Sequence, residues 1–348
     1  MDPRKSLESP DLYTVGWIAA LYLERAAATA FLDEEHAAPQ NFVQPSTDSN
    51  AYSWGSIAGH NVVIASLESG IYGTTSAATT AMAMLSSFPS IRFGLLVGIG
   101  AAAKSEHDGQ QIRLGDIAVS LPDGDRGGVI QYDLQRVKSG QQRESKSFLN
   151  KPPTVLLKAL GSLQAKHELQ SSMVAELLKK TLERHPKMAK AKYGYIHQGF
   201  ENDRLFLATY NHIGGADCSN CDPKKEVQRQ PRESREPEIH YGTIASGNIL
   251  IQDAVTRDEL VAEMNEECIC FEMEAAGLMN SFPCLVIRGI SDYADSHKNY
   301  RWQRYATATA AAYAKELLGY IQTNDLQKAQ KVVNIRMSPS PHSEGRDK

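Results

Sequence analysis

Four acidic residues, at three places along this chain, combine a residue type and a setting that suit acid–base chemistry. Asp292 follows Ser291 at the end of Cys284-Leu-Val-Ile-Arg-Gly-Ile290, an apolar run of strand length. Glu272 and Glu274 lie in Phe271-Glu-Met-Glu274, directly after the apolar run that begins at Cys268. Glu24 comes within a turn of helix after a first apolar stretch, residues 13–19. In open α/β sheets ligands bind beyond the carboxyl ends of the strands. These carboxylates are therefore expected at one sheet edge, where they flank one substrate. Glu274 has a plainer alternative role, because it precedes the apolar helix Ala275-Ala-Gly-Leu-Met279 and suits its dipole. A fourth cluster at the same edge, residues 98–102, argues for the site.

Such an edge needs alternating strands and helices to build it, and the pattern supplies them. Residues 13–19 read as a strand and 21–32 as a helix. Two runs, 53–57 and 61–66, make a hairpin turned at Ala58-Gly59-His60. A small-residue helix follows at 73–85, then strands at 91–97 and 114–120. The middle of the chain, about 145–237, breaks the alternation with two amphipathic helices (153–163 and 171–183) and a polar loop. Alternation resumes at 240–246 and runs to a closing helix, 302–321. The expected organisation is an N-terminal extension (1–11), one domain (12–325) carrying that insertion, and a disordered tail or linker (326–348). The expected fold class is α/β, a single-domain three-layer α/β/α sandwich with a mixed central sheet.

Composition bounds the function. A chain of 348 residues with 42% hydrophobic residues buries a large core, and its net charge of −4 lacks the basic excess of a nucleic-acid binder. No apolar stretch approaches the ~20 residues that span a bilayer. Five cysteines without a disulfide-like framework, and a start without a signal-peptide core, read as cytoplasmic.

The motif set resembles the nucleoside phosphorylase and nucleosidase superfamily, which includes purine and uridine phosphorylases and methylthioadenosine nucleosidase. The resemblance rests on Gly16-Trp-Ile-Ala-Ala-Leu-Tyr-Leu-Glu24, Ser69-Gly-Ile-Tyr-Gly73, Gly98-Ile-Gly-Ala101, Arg113-Leu-Gly-Asp116, Ser246-Gly-Asn248, Glu272-Met-Glu274 and Ser291-Asp292. It covers most of 12–322 and matches the insertion poorly. The last third is similar to fungal members attached to immune-receptor-type proteins, whose relatives in bacterial defence are understood to remove adenine from adenine nucleotides.

The resemblance implies roles. Cleaving a purine N-glycosidic bond calls for a protonated leaving base, and Asp292 matches the general acid at N7. An acid that holds a proton near neutral pH needs a raised pKa, which burial supplies. Glu274 matches the residue gripping the ribose hydroxyls, Met273 packs on the sugar, and Glu24 matches the residue activating water. Leu250 and Ile251, after Asn248, match the purine-contacting stretch. Glu272, Gly98, Ile99, Ser291 and Arg288 are carried as further substrate contacts. No cofactor is implied, and the assembly is a homo-oligomer, dimer or larger, whose neighbouring subunit often completes the site.

Two questions turn on cations. The family's phosphorylases place an arginine just before the glycine-rich turn, where this chain has Leu96-Val97, and Arg92 comes too early. Without that guanidinium, capture of inorganic phosphate is weakened, so hydrolysis is favoured. A phosphorylase and a non-catalytic nucleotide-sensing module are the alternatives. A nucleotide substrate, from AMP to ATP, would need cations for its phosphates. His297, Lys298, Arg301 and Arg304 form one cluster, and Lys224, Lys225, Arg229, Arg232 and Arg235 another. The second reads as a solvated loop because glutamates interleave it. The helix start at Gly73-Thr74-Thr75 offers backbone N–H groups to an anion. Cys218-x-x-Cys221 with His212 has three candidate zinc ligands. A structural site wants four, so no metal is expected.

Overall fold

The computed structural model describes residues 4–104, 106–107, 109–137, 143–145, 149–190, 194–264 and 268–337. Ten strands form its main sheet: β1 Val15–Ala19, β2 Glu34–His36, β3 Tyr52–Ile57, β4 His60–Ser66, β5 Phe93–Ala102, β6 Ile117–Ser120, β7 Val129–Gln131, β8 Ile239–Ser246, β9 Cys268–Glu272 and β10 Cys284–Asp292. The helices are α1 Tyr22–Ala30, α2 Thr74–Ser87, α3 Thr154–His167, α4 Val174–Arg184, α5 Pro186–Lys190, α6 Ala254–Glu263, α7 Ala275–Leu278, α8 Gln303–Leu318, α9 Thr323–Lys328 and α10 Val332–Met337.

Burial explains which strands lie at the centre. Every residue of β1, β9 and β10 is buried, as expected for strands covered on both faces. The order is β9-β8-β6-β10-β5-β1-β4-β3-β2, with β7 beside β8. Pairs β1–β4, β1–β5, β5–β10 and β6–β8 are parallel, whereas β6–β10, β2–β3 and β3–β4 are antiparallel. The sheet is mixed, as the sequence implied. It is not a flat layer, however. The end of β9 also pairs antiparallel with β5, Cys270 opposite Ala102 and Phe271 opposite Ala101. Strands β5, β10, β6, β8 and β9 thereby close into a ring, a feature that strand periodicity alone does not encode.

Close backbone approaches set the helices on this sheet. At Gly289 a Cβ would strike the backbone of Ala306, so α8 lies directly on β10. The alanine-rich sequence of α8 makes that contact continuous. The β3–β4 hairpin turns through Ala58 (φ +50°) and Gly59 (φ +81°), the two positive values a two-residue type I′ turn needs.

The insertion packs on the rest of the domain. Helices α3 and α4 pack on α8, and Leu156, Leu160 and Leu163 belong to the main core. The chain also stays helical beyond residue 325. In α10, Val332 is fully buried and its N–H reaches the Ile91 carbonyl at 2.9 Å. The expected tail therefore includes two short helices docked on the core, and its remainder, 338–348, lies outside the described residues.

Candidate functional site

Glu24 stands in the first turn of α1, and its carboxylate ties two strand ends together. Oε2 accepts from the N–H groups of Ala20 (2.6 Å) and Leu21 (2.9 Å), and Oε1 accepts from Ile99 at 2.8 Å. Burial pushes this carboxyl above its ordinary range, against the pull of Arg288 and the three N–H donors. A buried carboxylate of raised basicity suits a general base.

Arg288, wholly buried on β10, is the charge that holds the acidic cluster in place. It pairs with Glu272 and lies 3.2 Å from Glu274 Oε2. Burial works against its charge, but Glu272, Glu274 and Glu24 outweigh that and hold the guanidinium above its usual range. Glu272 also accepts from the N–H groups of Glu274 and Ala275, at 3.1 Å each. Its oxygens are thus occupied by the protein. Glu274 keeps more freedom, with Oε1 3.3 Å from the Gly73 N–H. Burial pushes its carboxyl up to about 7, Glu272 and Glu24 add to that, and Arg288 and the Gly73 N–H oppose it.

A β-bulge sets the last acid. Between β10 and β5 the register shifts, so that Ile290 faces Gly100 and Asp292 faces Ala101, leaving Ser291 as the extra residue. Asp292 Oδ2 meets the Ser291 hydroxyl at 2.9 Å and Lys298 Nζ at 3.1 Å. Its Oδ1 accepts from the Ala294 N–H at 3.1 Å, in a turn where Ala294 takes φ +51°. A buried non-glycine residue with positive φ marks a backbone held by its surroundings.

These groups share one cleft of about 470 Å³, within the usual size of a small-molecule site. Glu24, Ile99, Leu250, Ile251, Glu272, Met273, Glu274, Ser291, Asp292 and Lys298 all line it. Gly98 and Arg288 lie just behind its wall, because a Cβ on Gly98 would overlap Glu24 Oε1 and Arg288 Nη1.

Four expected contacts fall elsewhere. The Gly73 N–H faces Glu274, and the Thr74 N–H and hydroxyl bond Asn248 Oδ1 at 3.0 and 3.1 Å. The start of α2 is thus already capped by protein, and these two N–H groups are not free for an anion. The Asn248 backbone N–H in turn donates to Asp133 Oδ2 at 2.8 Å, so Asn248 fixes the 246–252 loop instead of lining the cleft. His297 turns away and stacks on Phe206, with ring centroids 4.0 Å apart.

The second basic cluster divides: Lys224, Lys225 and Arg235 are exposed, as a solvated loop would have them, but Arg229 and Arg232 are not. Arg229 pairs with Asp203 at 3.2 Å, and Arg232 with Asp116 at 2.5 Å, both nearly buried. Asp203 is itself part of the insertion, so the tie to the body of the domain comes from Arg232 on Asp116 and from Arg229 on the Tyr293 hydroxyl at 2.6 Å. Arg301 faces Asp217, 3.8 Å away. Arg304 alone of its cluster joins Lys298 in the cleft lining. Arg92 sits beyond the opposite end of β5 and bonds the Ala329 carbonyl. Sequence reasoning missed Tyr22, Tyr72, Phe271 and Tyr300, which give the cleft its aromatic lining. Phe271 was legible only as a strand residue; its ring is set edge-on by Tyr132, centroids 5.6 Å apart. Tyr72 stands inside the Ser69–Gly73 motif without being singled out there, and Tyr300 stands in a polar stretch with no periodic signal.

The fold has counterparts among solved structures. A 5′-methylthioadenosine/S-adenosylhomocysteine nucleosidase from Colwellia psychrerythraea, solved in complex with adenine, matches with a TM-score of 0.53 and 18% identity over 91% of this chain and 97% of that one. The chain has the nucleoside phosphorylase/nucleosidase fold. No family model matches it. Among curated proteins, it is 44% identical over 332 residues to a nucleotide-binding leucine-rich repeat (NLR)-like protein of Hyaloscypha variabilis, a match over 95% of this chain and 32% of that protein. A shorter match, 35% over 85 residues, is to the ATP nucleosidase Cap17 of Escherichia coli and covers 23% of this chain and 17% of that one. The chain spans about a third of the length of the first relative.

Proposed function

We propose that this protein is a purine N-glycosidase that hydrolyses adenine nucleotides or adenosine to adenine and ribose or ribose phosphate. The observation that carries it is the facing of Glu24, Glu274 and Asp292 into one cleft with an aromatic and aliphatic lining. In this reading Asp292 gives a proton to N7 as the N9–C1′ bond breaks. Glu24 takes a proton from the water whose oxygen bonds C1′. Glu274 accepts hydrogen bonds from the ribose hydroxyls, Met273 packs on the sugar, and Phe271, Leu250 and Ile251 hold the base. The carboxylates beside C1′ favour the positive charge that develops there.

Water is favoured over phosphate as acceptor because Arg288 is committed to Glu272 and Glu274, and Arg92 lies at the wrong end of β5. Lys298 pairs with Asp292, which leaves Arg304 as the cleft cation for a phosphate tail. The name of the Cap17 relative supports ATP as a substrate, and the NLR-like relative supports a place as the nucleotide-destroying part of a longer immune receptor. Exposed apolar side chains around the mouth (Tyr22, Tyr72, Ile249, Leu250 and Tyr300) fit a second copy of the chain, as in a homo-oligomer. Sedimentation velocity tests that assembly, and a monomer at all concentrations would refute it.

Incubation with adenosine, AMP and ATP, with and without inorganic phosphate, followed by chromatography of the products, tests the reaction. Free adenine without added phosphate is the expected result. No adenine from any substrate would overturn the proposal, and strict phosphate dependence would identify a phosphorylase. Arg304→Ala should weaken ATP use by about 10- to 100-fold, the worth of a charged hydrogen bond, and spare adenosine.

A further inference from the structure

Beside the cleft, on the far side of Asp292, lies a buried cluster that the nucleosidase chemistry does not use. The single 3₁₀ turn Cys218–Asn220, capped by Asp217 on the Ser219 N–H at 3.0 Å, sets the two thiols of Cys218-x-x-Cys221 into the interior. Arg204 holds the outward side of this turn by bonding the carbonyls of Cys218 and Cys221. Both cysteines are buried and unbridged. The loop brings His212 to them, so that its ring nitrogen and the two Sγ atoms all lie within 4.8 Å of one another.

A fourth group comes from a distant part of the chain. His297 is 6% exposed, and neither of its ring nitrogens has a hydrogen-bond partner among the described residues. Such a burial is costly for an imidazole, and native structures seldom leave it unmet. The His297 ring stands edge-on to that of His212, centroids 5.6 Å apart, and its backbone carbonyl lies 3.9 Å from Cys218 Sγ. Asp295 Oδ2 lies 3.5 Å from Nδ1, near enough to take its N–H once the ring shifts, which would leave Nε2 as the donor to a metal.

We propose that Cys218, Cys221, His212 and His297 bind one structural zinc ion. Tetrahedral ligands at zinc bond lengths stand roughly 3.3–3.8 Å apart, so drawing His212, Cys218 and Cys221 together asks for side-chain shifts of about 1 Å, and His297, which stands outside that group of three, would turn its ring toward the thiols to complete the set. Two thiolates and two imidazoles select zinc among the common divalent ions. The two thiols each lose a proton on binding, and the two thiolate charges balance those of the ion, so no net charge is buried. The ligand set escapes a reading by spacing because His297 lies far along the chain from the Cys-x-x-Cys pair. Its consequence is mechanical. The ion would clamp the 212–221 loop, already joined to Ser296 by the His212 N–H at 3.0 Å, onto the segment that carries Lys298 to Asp292.

The test is the zinc content of the full chain purified without chelators, together with X-ray absorption at the zinc edge. About one zinc per chain is expected, with two sulphur neighbours at ~2.3 Å and two nitrogens at ~2.0 Å. Cobalt substitution should give thiolate charge-transfer absorption and the strong visible bands of a tetrahedral site. Cys218→Ser/Cys221→Ser should lose the ion, and His297→Ala should weaken its retention by at least ~10-fold. Retention of under about a tenth of an equivalent after incubation with zinc and desalting would overturn the proposal. So would an undiminished zinc content in the double cysteine variant, or an absorption spectrum without sulphur neighbours. The spectrum of the unaltered protein decides the matter even where a variant does not fold.

Discussion

At the scale of the single residue, the proposed sugar-gripping role of Glu274 predicts the pH at which the cleft works. Its carboxyl is pushed up to about 7, chiefly by burial and further by Glu272 and Glu24. Accepting hydrogen bonds from two sugar hydroxyls needs the ionised form, which is lost as pH falls through that value. The kcat/KM profile should therefore fall on the acid side with a midpoint near 7, and Glu274→Gln should lose both that limb and most activity. The stability sign is opposite. A carboxyl raised from 4.5 to about 7 on folding favours the folded state fully below 4.5, and that contribution is lost as pH rises through 7. Thermal melts of Glu274→Gln should thus improve against the unaltered protein from about pH 5 to about pH 8, and a constant difference would contradict the assignment. Glu24→Gln and Asp292→Asn should each cost ~10²–10⁴-fold in kcat, and undiminished adenine release from either would remove its role.

At the scale of the element, β5 and β10 do the positioning, and glycine permits it. The Ile99 N–H reaches Glu24 only because Gly98 has no side chain where Glu24 and Arg288 meet. Gly98→Ala would push both away. The expected result is a loss of turnover comparable to Glu24→Gln, with a destabilisation of about 1–3 kcal/mol from overpacking, read by denaturant unfolding. A fully active Gly98→Ala would mean that Glu24 is not held as described. This scale also marks what the sequence could reveal. The strand ends carrying Asp292, Glu274 and Glu24 were legible because fully buried strands read as unbroken apolar runs with polar residues just beyond them. The pairing of β9 with β5 was not, since it joins strands remote in sequence through backbone groups that every residue shares. For the same reason Asn248 and Thr74 looked like ligand contacts: spacing shows that a polar group is near the edge, but not that another side chain already satisfies it.

At the scale of the whole molecule, the C-terminal helices anchor β5 at the end opposite the cleft. The strand that delivers Ile99 begins beside Ile91 and Arg92, and both are bonded to the C-terminal helices. Arg92 bonds the Ala329 carbonyl, and Val332 closes on Ile91 with its side chain fully buried. Composition gave this segment the look of a linker, because its few apolar residues are scattered among polar ones. Burial of one or two of them against a preformed core is enough to dock a short helix, which helical propensity alone would not hold. The segment should therefore behave as part of the domain. Val332→Asp places a charge without a partner in the core and should destabilise the fold by about 3–5 kcal/mol. Truncation after Gln322 should lower the melting temperature in the same direction. Because β5 lies between this contact and the cleft, both changes should also reduce adenine release at temperatures well below the melt. A truncated chain with unchanged melting temperature and turnover would show instead that α9 and α10 are independent of the catalytic body.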